Sequence, residues 1–182
     1  MNKTNFIIPS AGSARRLRPL TESTPKSLLR IGRNPIIYEQ LSNIPKESIK
    51  RLIIILGYKG EQIKQYINSL DLDYPVIFVY NEDFEKTNCA YSFMKARDFF
   101  SEGFILLNCD LLFNQNSIKK ILSSKSKNVI GARNNSSYQT DLQKINVINN
   151  KIVEWSLELK NSNAEVMGPL KISSEDTNKI IN

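Results

Sequence analysis

Residues 6–29, FIIPSAGSARRLRPLTESTPKSLL, decide the fold and the function predicted for this chain. The run Phe6–Ile8 is apolar and short enough for a buried strand, and the small residues Ser10–Ala14 follow it. A strand that ends in a loop of small residues lets backbone N–H groups approach a phosphate chain closely, because no side chain intervenes. The arginines of the segment Arg15–Arg18 supply cations that neutralise phosphate charge. The stretch therefore indicates a nucleoside triphosphate site; the alternative is an ordinary turn with a solvated arginine rim.

The spacing within this loop separates it from two common nucleotide motifs. Gly12 belongs to neither G-x-G-x-x-G nor G-x-x-x-x-G-K-[ST], so the loop is neither a dinucleotide fingerprint nor a P-loop. The longer pattern A-G-x-x-x-R-L-x-P-L-T, followed by P-K, resembles the signature of the sugar-phosphate and choline-phosphate nucleotidylyltransferases, A-G-x-G-[ST]-R-L-x-P-L-T…P-K. The resemblance implies catalytic roles for Arg16 and Lys26, which counter the charge of the reacting phosphates. It also implies that the loop residues hold the triphosphate; these are Ala11, Gly12, Ser13 and Ala14.

Two positions of the loop depart from that signature. Ala14 replaces the second glycine of the family loop, and Arg15 replaces the serine or threonine. If position 14 has a positive φ, alanine there costs about 1 kcal/mol relative to glycine. The departure predicts a strained loop and weaker nucleotide affinity.

Length and composition exclude several classes of protein. The 182 residues suit one domain, with a nucleotide-binding part at 1–133 and a substrate-side β extension at 134–182. Histidine is absent, which excludes histidine bases, histidine metal ligands and Ser-His or Cys-His pairs. No apolar run reaches a membrane span or a secretory signal, so the expectation is a cytoplasmic protein without a membrane partner. The net charge of +7 suits an anionic small ligand, and the scattered lysines argue against nucleic acid.

The order of elements predicts an α/β fold. Continuous apolar runs at 51–56, 76–80 and 104–107 are typical of strands buried on both faces of a parallel sheet. Helical patterns lie between them, including one predicted over 90–100, and the alternation predicts a doubly wound, mostly parallel, Rossmann-like sheet with helices on both faces. From residue 142 the pattern changes: two alternating runs flank Asn149-Asn150, which predicts an antiparallel hairpin extension.

Asp110 is the second candidate for chemistry. It follows the apolar run 104–107 and so falls at the carboxyl end of a predicted strand, where ligands bind in doubly wound folds. A carboxylate there can hold Mg²⁺ beside the phosphates, and a turn aspartate is the alternative. The resemblance favours the metal, because the family places its metal-binding aspartate after this strand.

A polar loop, residues 80–92, is the third candidate. Its side-chain amides and hydroxyls suit recognition of a nucleobase edge, and helix capping is the alternative. The string N-x-x-[FY]-x-x-T-N-x-x-x-S resembles the choline-phosphate cytidylyltransferase branch, in which this stretch faces the base. That likeness assigns nucleotide binding to Asn81, Thr87 and Asn88.

The substrate side is predicted more loosely from the hairpin region. The residues that resemble the family's acceptor-binding elements are Asp141, Lys144, Glu165 and Gly168, with solvated hairpin positions as the alternative. Leu157 stands where family members often carry lysine, and no counterpart of a second metal-binding aspartate is found except Asp176, near the last residues.

Together these features predict a Mg²⁺-dependent nucleotidylyltransferase. The expected reaction joins CTP to a phosphorylated alcohol such as phosphocholine, giving a CDP-alcohol and pyrophosphate, as in the synthesis of precursors for cell-surface polysaccharides or phospholipids. Two alternatives stay open: a hexose-1-phosphate nucleotidylyltransferase, and a homologue that binds nucleotide with little turnover. CTP is favoured over UTP and dTTP, the identity of the acceptor is not predicted, and a homodimer is left open.

Overall fold

A computed structural model describes residues 3–134 and 143–181 of the chain. The strands in these residues are β1 Thr4–Ser10, β2 Arg30–Ile31, β3 Asn34–Pro35, β4 Ile49–Leu56, β5 Val76–Tyr80, β6 Phe104–Leu106, β7 Val129–Asn134, β8 Lys144–Ile148, β9 Lys151–Ser156 and β10 Ala164–Ile172. The α-helices are α1 Ile36–Ser42, α2 Gly60–Asn68, α3 Cys89–Met94, α4 Gln115–Ser123 and α5 Asn178–Ile181. Short 3₁₀ helices span Arg15–Leu17, Lys26–Leu28, Lys46–Ser48 and Arg97–Glu102.

A single large mixed sheet organises the described residues. Its strand order is β5-β4-β1-β6-β10-β8-β9, and β7 pairs along β10. Strands β1, β4, β5 and β6 are parallel, whereas β10 runs antiparallel to β6, β7 and β8. The predicted fold, a Rossmann-like parallel sheet with an antiparallel extension, is confirmed.

The core lies on both faces of the parallel strands. Phe6 and Ile8 of β1 face a cluster that includes residues of α1, α2 and α4, and Ile7 faces a second cluster beneath α3. Because successive side chains of a strand point to opposite faces, a strand covered on both sides must be apolar throughout. This explains why β1 and β4 appear in the sequence as continuous apolar runs and not as alternating ones.

The register of the parallel strands brings their carboxyl ends to one edge. Ser10 of β1 is paired with Leu56 of β4, which is paired with Tyr80 of β5. Leu106 at the end of β6 is paired with Ile7, the middle residue of β1. The loops that follow these four strands therefore meet at the same edge of the sheet, and the sequence candidates lie in them.

Two local predictions have different outcomes. The Asn149-Asn150 hairpin is confirmed: both residues have positive φ, 50° and 60°, as a tight turn between β8 and β9 requires. The helix predicted over 90–100 is wrong in its extent. It ends at Met94, and hydrogen bonds from Lys95 to Ser92 and from Phe99 to Ala96 tighten the following turns into 3₁₀ geometry.

Candidate active site

The glycine loop leaves β1 with an open surface beside it. A Cβ placed on Gly12 meets no atom within 4 Å, and Gly12 does not have the positive φ that only glycine adopts freely. The fold by itself therefore does not require glycine at this position. The open space beside it would admit a ligand close to the backbone.

Ala14 has a positive φ, the condition under which the sequence predicts strain at this position. Its φ of 47° and ψ of 46° are left-handed, which costs about 1 kcal/mol for a residue with a Cβ. Two hydrogen bonds to its carbonyl oxygen stabilise the strained turn, from Leu17 N at 2.9 Å and from the buried Thr21 Oγ1 at 3.0 Å. The signature threonine thus closes the loop on itself.

The two signature cations lie on separate short helices after the loop. Arg16 is exposed on the 3₁₀ turn Arg15–Leu17, directly beyond Ala14. Lys26 opens the 3₁₀ turn Lys26–Leu28, and its Nζ lies 2.5 Å from Oδ2 of Asp110. The structure therefore brings together a lysine and an aspartate that are 84 positions apart.

Asp110 occupies a turn at the end of β6. A hydrogen bond from Leu111 N to Asn108 O, 3.0 Å long, closes a turn with Cys109 and Asp110 at its centre. The Asp110 side chain is half exposed at 49%, and that of Lys26 is 27% exposed. The carboxylate already accommodates one cation, so its charge and access suit a hard metal such as Mg²⁺.

Within the described residues, no group of three His, Cys, Asp or Glu side chains is arranged to hold a metal. Asp176 does not offer a second carboxylate freely, since it accepts hydrogen bonds from Asn128 at 2.8 Å and Lys179 at 2.6 Å. These bonds, that of Lys179 first, hold the pKa of Asp176 below its usual range. A metal at Asp110 would take its remaining ligands from nucleotide oxygens and water.

The loop from Tyr80 to Ser92 is held together by its own polar side chains. Asn81 is fully buried, and its Nδ2 donates to Thr87 Oγ1 at 2.9 Å and to Ser92 Oγ at 2.8 Å. The Asn88 side chain accepts from Tyr91 N at 2.9 Å and caps α3. These contacts fit the capping alternative, and recognition of a base by these three residues stays a prediction.

Gly57, which the sequence reasoning did not select, joins three of these loops. A Cβ at this position would lie 2.6 Å from the Ala11 carbonyl oxygen and 2.9 Å from Cβ of Phe84. The next residue, Tyr58, donates from its N–H to the same Ala11 oxygen and from its hydroxyl to the Thr21 carbonyl. The available signal was a glycine and a tyrosine directly after a buried strand, but the contact partners are distant in sequence.

The predicted substrate residues lie on the antiparallel strands. Glu165 is fully buried and accepts two hydrogen bonds from Arg133, at 3.0 and 3.2 Å, and it is paired in register with Lys144. Gly168 lies against Gly131, where a Cβ on either residue would come within 2.6 Å of the other's Cα. Asp141 lies outside the described residues. A role for these residues toward an acceptor stays a prediction.

The two thiols are poor nucleophiles. Burial raises the pKa of Cys109 to about 12, and it also raises that of Cys89, with the Asp110 charge adding to both shifts. A thiol with a raised pKa stays protonated near neutral pH, and the thiolate is the reactive form. Neither thiol is therefore suited to form a covalent intermediate near neutral pH.

A cavity of about 960 Å³ lies on the α1 and α4 side of the sheet, next to β7 and β10. Gly131, Gly168 and the segment that follows the Asp110 turn line it, but Lys26 and Asp110 do not. This cavity is thus adjacent to the lysine–aspartate pair and separate from it.

Known proteins resemble this chain in sequence and in fold. The family model described as Nucleotidyl transferase matches residues 5–142. A choline-phosphate cytidylyltransferase of Haemophilus influenzae is 34% identical over 112 residues, which are 62% of this chain and 46% of that protein. A CTP:phosphoglutamine cytidylyltransferase of Campylobacter jejuni is 27% identical over 68% of this chain and 50% of its own length. The chain thus spans about half the length of these relatives.

The likeness to solved structures covers nearly all of the chain. The inositol-1-phosphate CTP transferase of T. maritima superposes with a TM-score of 0.82 and 22% identity, over 98% of this chain and 74% of that one. At that identity the likeness shows the fold alone. Among the described residues, no helix has the length and apolar character needed to cross a bilayer.

Proposed function

Since this chain belongs to the nucleotidyl transferase family, we propose that it transfers a cytidylyl group from CTP to a phosphorylated alcohol and releases pyrophosphate. The single observation that carries the proposal is the contact between Lys26 and Asp110 at the edge of the sheet where the glycine loop begins. A cation and a carboxylate beside an open backbone loop are the groups that a metal-bound triphosphate needs.

The proposed chemistry needs no protein nucleophile. A phosphomonoester oxygen of the acceptor forms a bond to the α-phosphorus, the bond to the bridging oxygen breaks, and pyrophosphate leaves with that electron pair. Mg²⁺, when bound, would neutralise phosphate charge, with Asp110 as its protein ligand. Catalysis then consists of positioning and charge neutralisation, which agrees with the absence of histidine and with the protonated thiols.

The residues of the loop and of the two 3₁₀ turns have distinct proposed roles. Backbone amides from Ala11 to Ala14 hold the triphosphate, and Gly12 leaves space for its approach. Arg16 counters charge on the leaving pyrophosphate. Lys26 moves from Asp110 to the reacting phosphates when nucleotide binds, since its flexible stem keeps it close to both.

The preference for CTP is supported by two relatives that are named cytidylyltransferases, one of them with CTP in its name, and by the resemblance of the 80–92 loop. Their named acceptors are phosphoglutamine and choline phosphate. Only choline phosphate is a phosphorylated alcohol, because glutamine has no hydroxyl group, and the resemblance of the 80–92 loop to the choline-phosphate branch favours that class of acceptor. Its binding residues would be Lys144, Glu165 and Gly168, together with Asp141.

Nucleotide binding with little turnover is the second candidate function. The left-handed Ala14 weakens the loop, and Asp110 is the single proposed metal carboxylate among the described residues. Tight binding of CTP without pyrophosphate release would favour this function. Transfer to a hexose 1-phosphate would instead appear as product with UTP or dTTP.

The experiment crosses three nucleotides, CTP, UTP and dTTP, with phosphocholine and glucose 1-phosphate and measures pyrophosphate with Mg²⁺ and with EDTA. We expect the highest rate with CTP, phosphocholine and Mg²⁺, and none with EDTA. The same assay on Lys26→Met tests the lysine of the site. Its matched control is Lys46→Met, which removes an exposed lysine whose partner, Asp73, lies 4.0 Å away. Pyrophosphate release that persists in EDTA would contradict the metal requirement, and no release with any pair would contradict the transferase.

A further inference from the structure

The turn that presents Asp110 is held from outside by α1. The Gln40 side chain, fully buried on that helix, donates from Nε2 to Asn108 O at 2.7 Å and to Leu111 O at 2.8 Å. These oxygens belong to the first and the last residue of the turn, with Cys109 and Asp110 between them. Both hydrogens of one amide nitrogen are therefore bonded to the two ends of a single turn.

Packing alone does not explain glutamine at this position. Gln40 lies among the buried apolar residues of α1, which are Ile36, Ile37 and Leu41. Its Oε1 is buried and has no hydrogen-bond partner among the described residues. An unsatisfied buried oxygen destabilises a fold, whereas an apolar side chain of the same length would fill the space without one. What glutamine adds is the pair of hydrogen bonds that hold the turn in position.

We propose that Gln40 is a positioning residue, which fixes the Asp110 turn against α1 so that the carboxylate stays within reach of Lys26 and of a metal-bound triphosphate. The inference rests on the proposed function. Gln40 touches neither ligand, and it acts through the two carbonyl groups on either side of Asp110. Groups that orient a metal ligand in this way commonly change metal affinity by about 10- to 100-fold when removed.

The experiment compares Gln40→Met with a matched variant at the other end of the sheet. Methionine keeps the length of glutamine and removes its N–H groups. The control is Asn5→Leu, which removes a buried amide that donates to Phe99 O at 3.2 Å near the amino end of β1. Calorimetry measures the affinity for CTP with Mg²⁺ and with EDTA, and the ratio of the two affinities reports the metal-dependent part.

We expect Gln40→Met to lower this ratio about tenfold while the affinity in EDTA changes less than twofold. Asn5→Leu should lower the thermal midpoint and leave the ratio as in the wild type. In an Asp110→Asn background the ratio should no longer respond to Gln40→Met, because the ligand that Gln40 positions is absent.

A wild-type ratio in Gln40→Met would overturn the inference and leave the proposed function intact. Absence of CTP binding to the wild type under both conditions would overturn the proposed function and the inference with it. Should the methionine variant fail to fold, Gln40→Asn keeps the amide on a shorter stem and is expected to show the same loss; a wild-type ratio in that variant also overturns the inference.

Discussion

The parallel strands and the antiparallel strands of this sheet differ in how their functional candidates are held. At the carboxyl edge of β1, β4, β5 and β6, the loops are linked by contacts of Gly57, Tyr58 and Gln40 with distant segments. On the antiparallel side, β9 is exposed along nearly its whole length, and Trp155 is 46% exposed. The difference teaches that the carboxyl edge of the parallel strands, the proposed nucleotide side, is cross-linked by contacts between distant segments, whereas the outer hairpin β8–β9 presents an exposed surface.

The largest expected effect is that of removing Lys26, on the proposed nucleotide side. Lys26→Met should lower the turnover number for pyrophosphate release about 10²- to 10³-fold, because a group that stabilises charge in the transition state is lost. The measurement is a coupled pyrophosphate assay with CTP and phosphocholine. Lys127→Met, which removes the partner of Glu175 beside the antiparallel strands, serves as the control and should leave turnover within twofold. Equal losses of turnover in Lys26→Met and Lys127→Met would contradict a specific role for Lys26.

Two glycines of the nucleotide side should respond in opposite ways. Gly57→Ala should destabilise the protein by about 1–3 kcal/mol in urea unfolding, since its Cβ would overlap a backbone oxygen 2.6 Å away. Gly12→Ala should change stability by less than about 0.5 kcal/mol, because its Cβ meets open space, yet weaken CTP binding. If Gly12→Ala proved the more destabilising of the two, the assignment of Gly12 to the ligand would fail.

A smaller effect is expected when the ion pair is broken without metal present. Asp110→Asn should raise the affinity for CTP in EDTA about threefold, because Lys26 is released from an exposed partner whose attraction is about 0.2–1 kcal/mol. Calorimetry in EDTA measures the change. The double variant with Lys26→Met separates two causes: competition for Lys26 predicts that the gain disappears, whereas repulsion of the triphosphate by Asp110 predicts that it remains.

The smallest effect concerns the segment after β10. Hydrogen bonds from Lys179 and Asn128 lower the pKa of Asp176 in the folded state. The ionised carboxylate is therefore more favourable in the folded protein than in the unfolded chain, and it adds to the stability of the fold. That stability is present above the ordinary pKa of an aspartate and is lost as the pH falls through the lowered value. Asp176→Asn should therefore be less stable than the wild type near neutral pH, and the difference should narrow in acid. Urea midpoints at several pH values test this, and a difference that widens in acid would contradict it.

Much of the nucleotide side could be predicted because its signals are local. The strand and small-residue loop before Arg16, the run that ends near Asp110, and the asparagine pair of the hairpin each depend on neighbours in sequence. The strain expected at Ala14 if its φ were positive also depends on a single residue, because the cost comes from that residue's own Cβ and backbone angles.

The remaining features depend on chain segments that meet only after folding. Gln40 occupies a position on the apolar stripe of α1 that the pattern alone treats as core, and its two acceptors lie about 70 positions away. The Asn81 amide has the donor and acceptor groups that base recognition needs. In the folded protein, however, it is buried and its Nδ2 donates to Thr87 and Ser92 of the same loop.

The amino-acid sequence by itself determined the family and the α/β layout, because periodicity and short motifs encode them locally. Tertiary structure alone decided that Lys26 meets Asp110, that Gly57 joins three loops and that Gln40 bonds to both ends of the Asp110 turn. The physical reason is that hydrogen bonds and van der Waals contacts act over a few ångströms, and only the folded sheet brings such distant segments within that range.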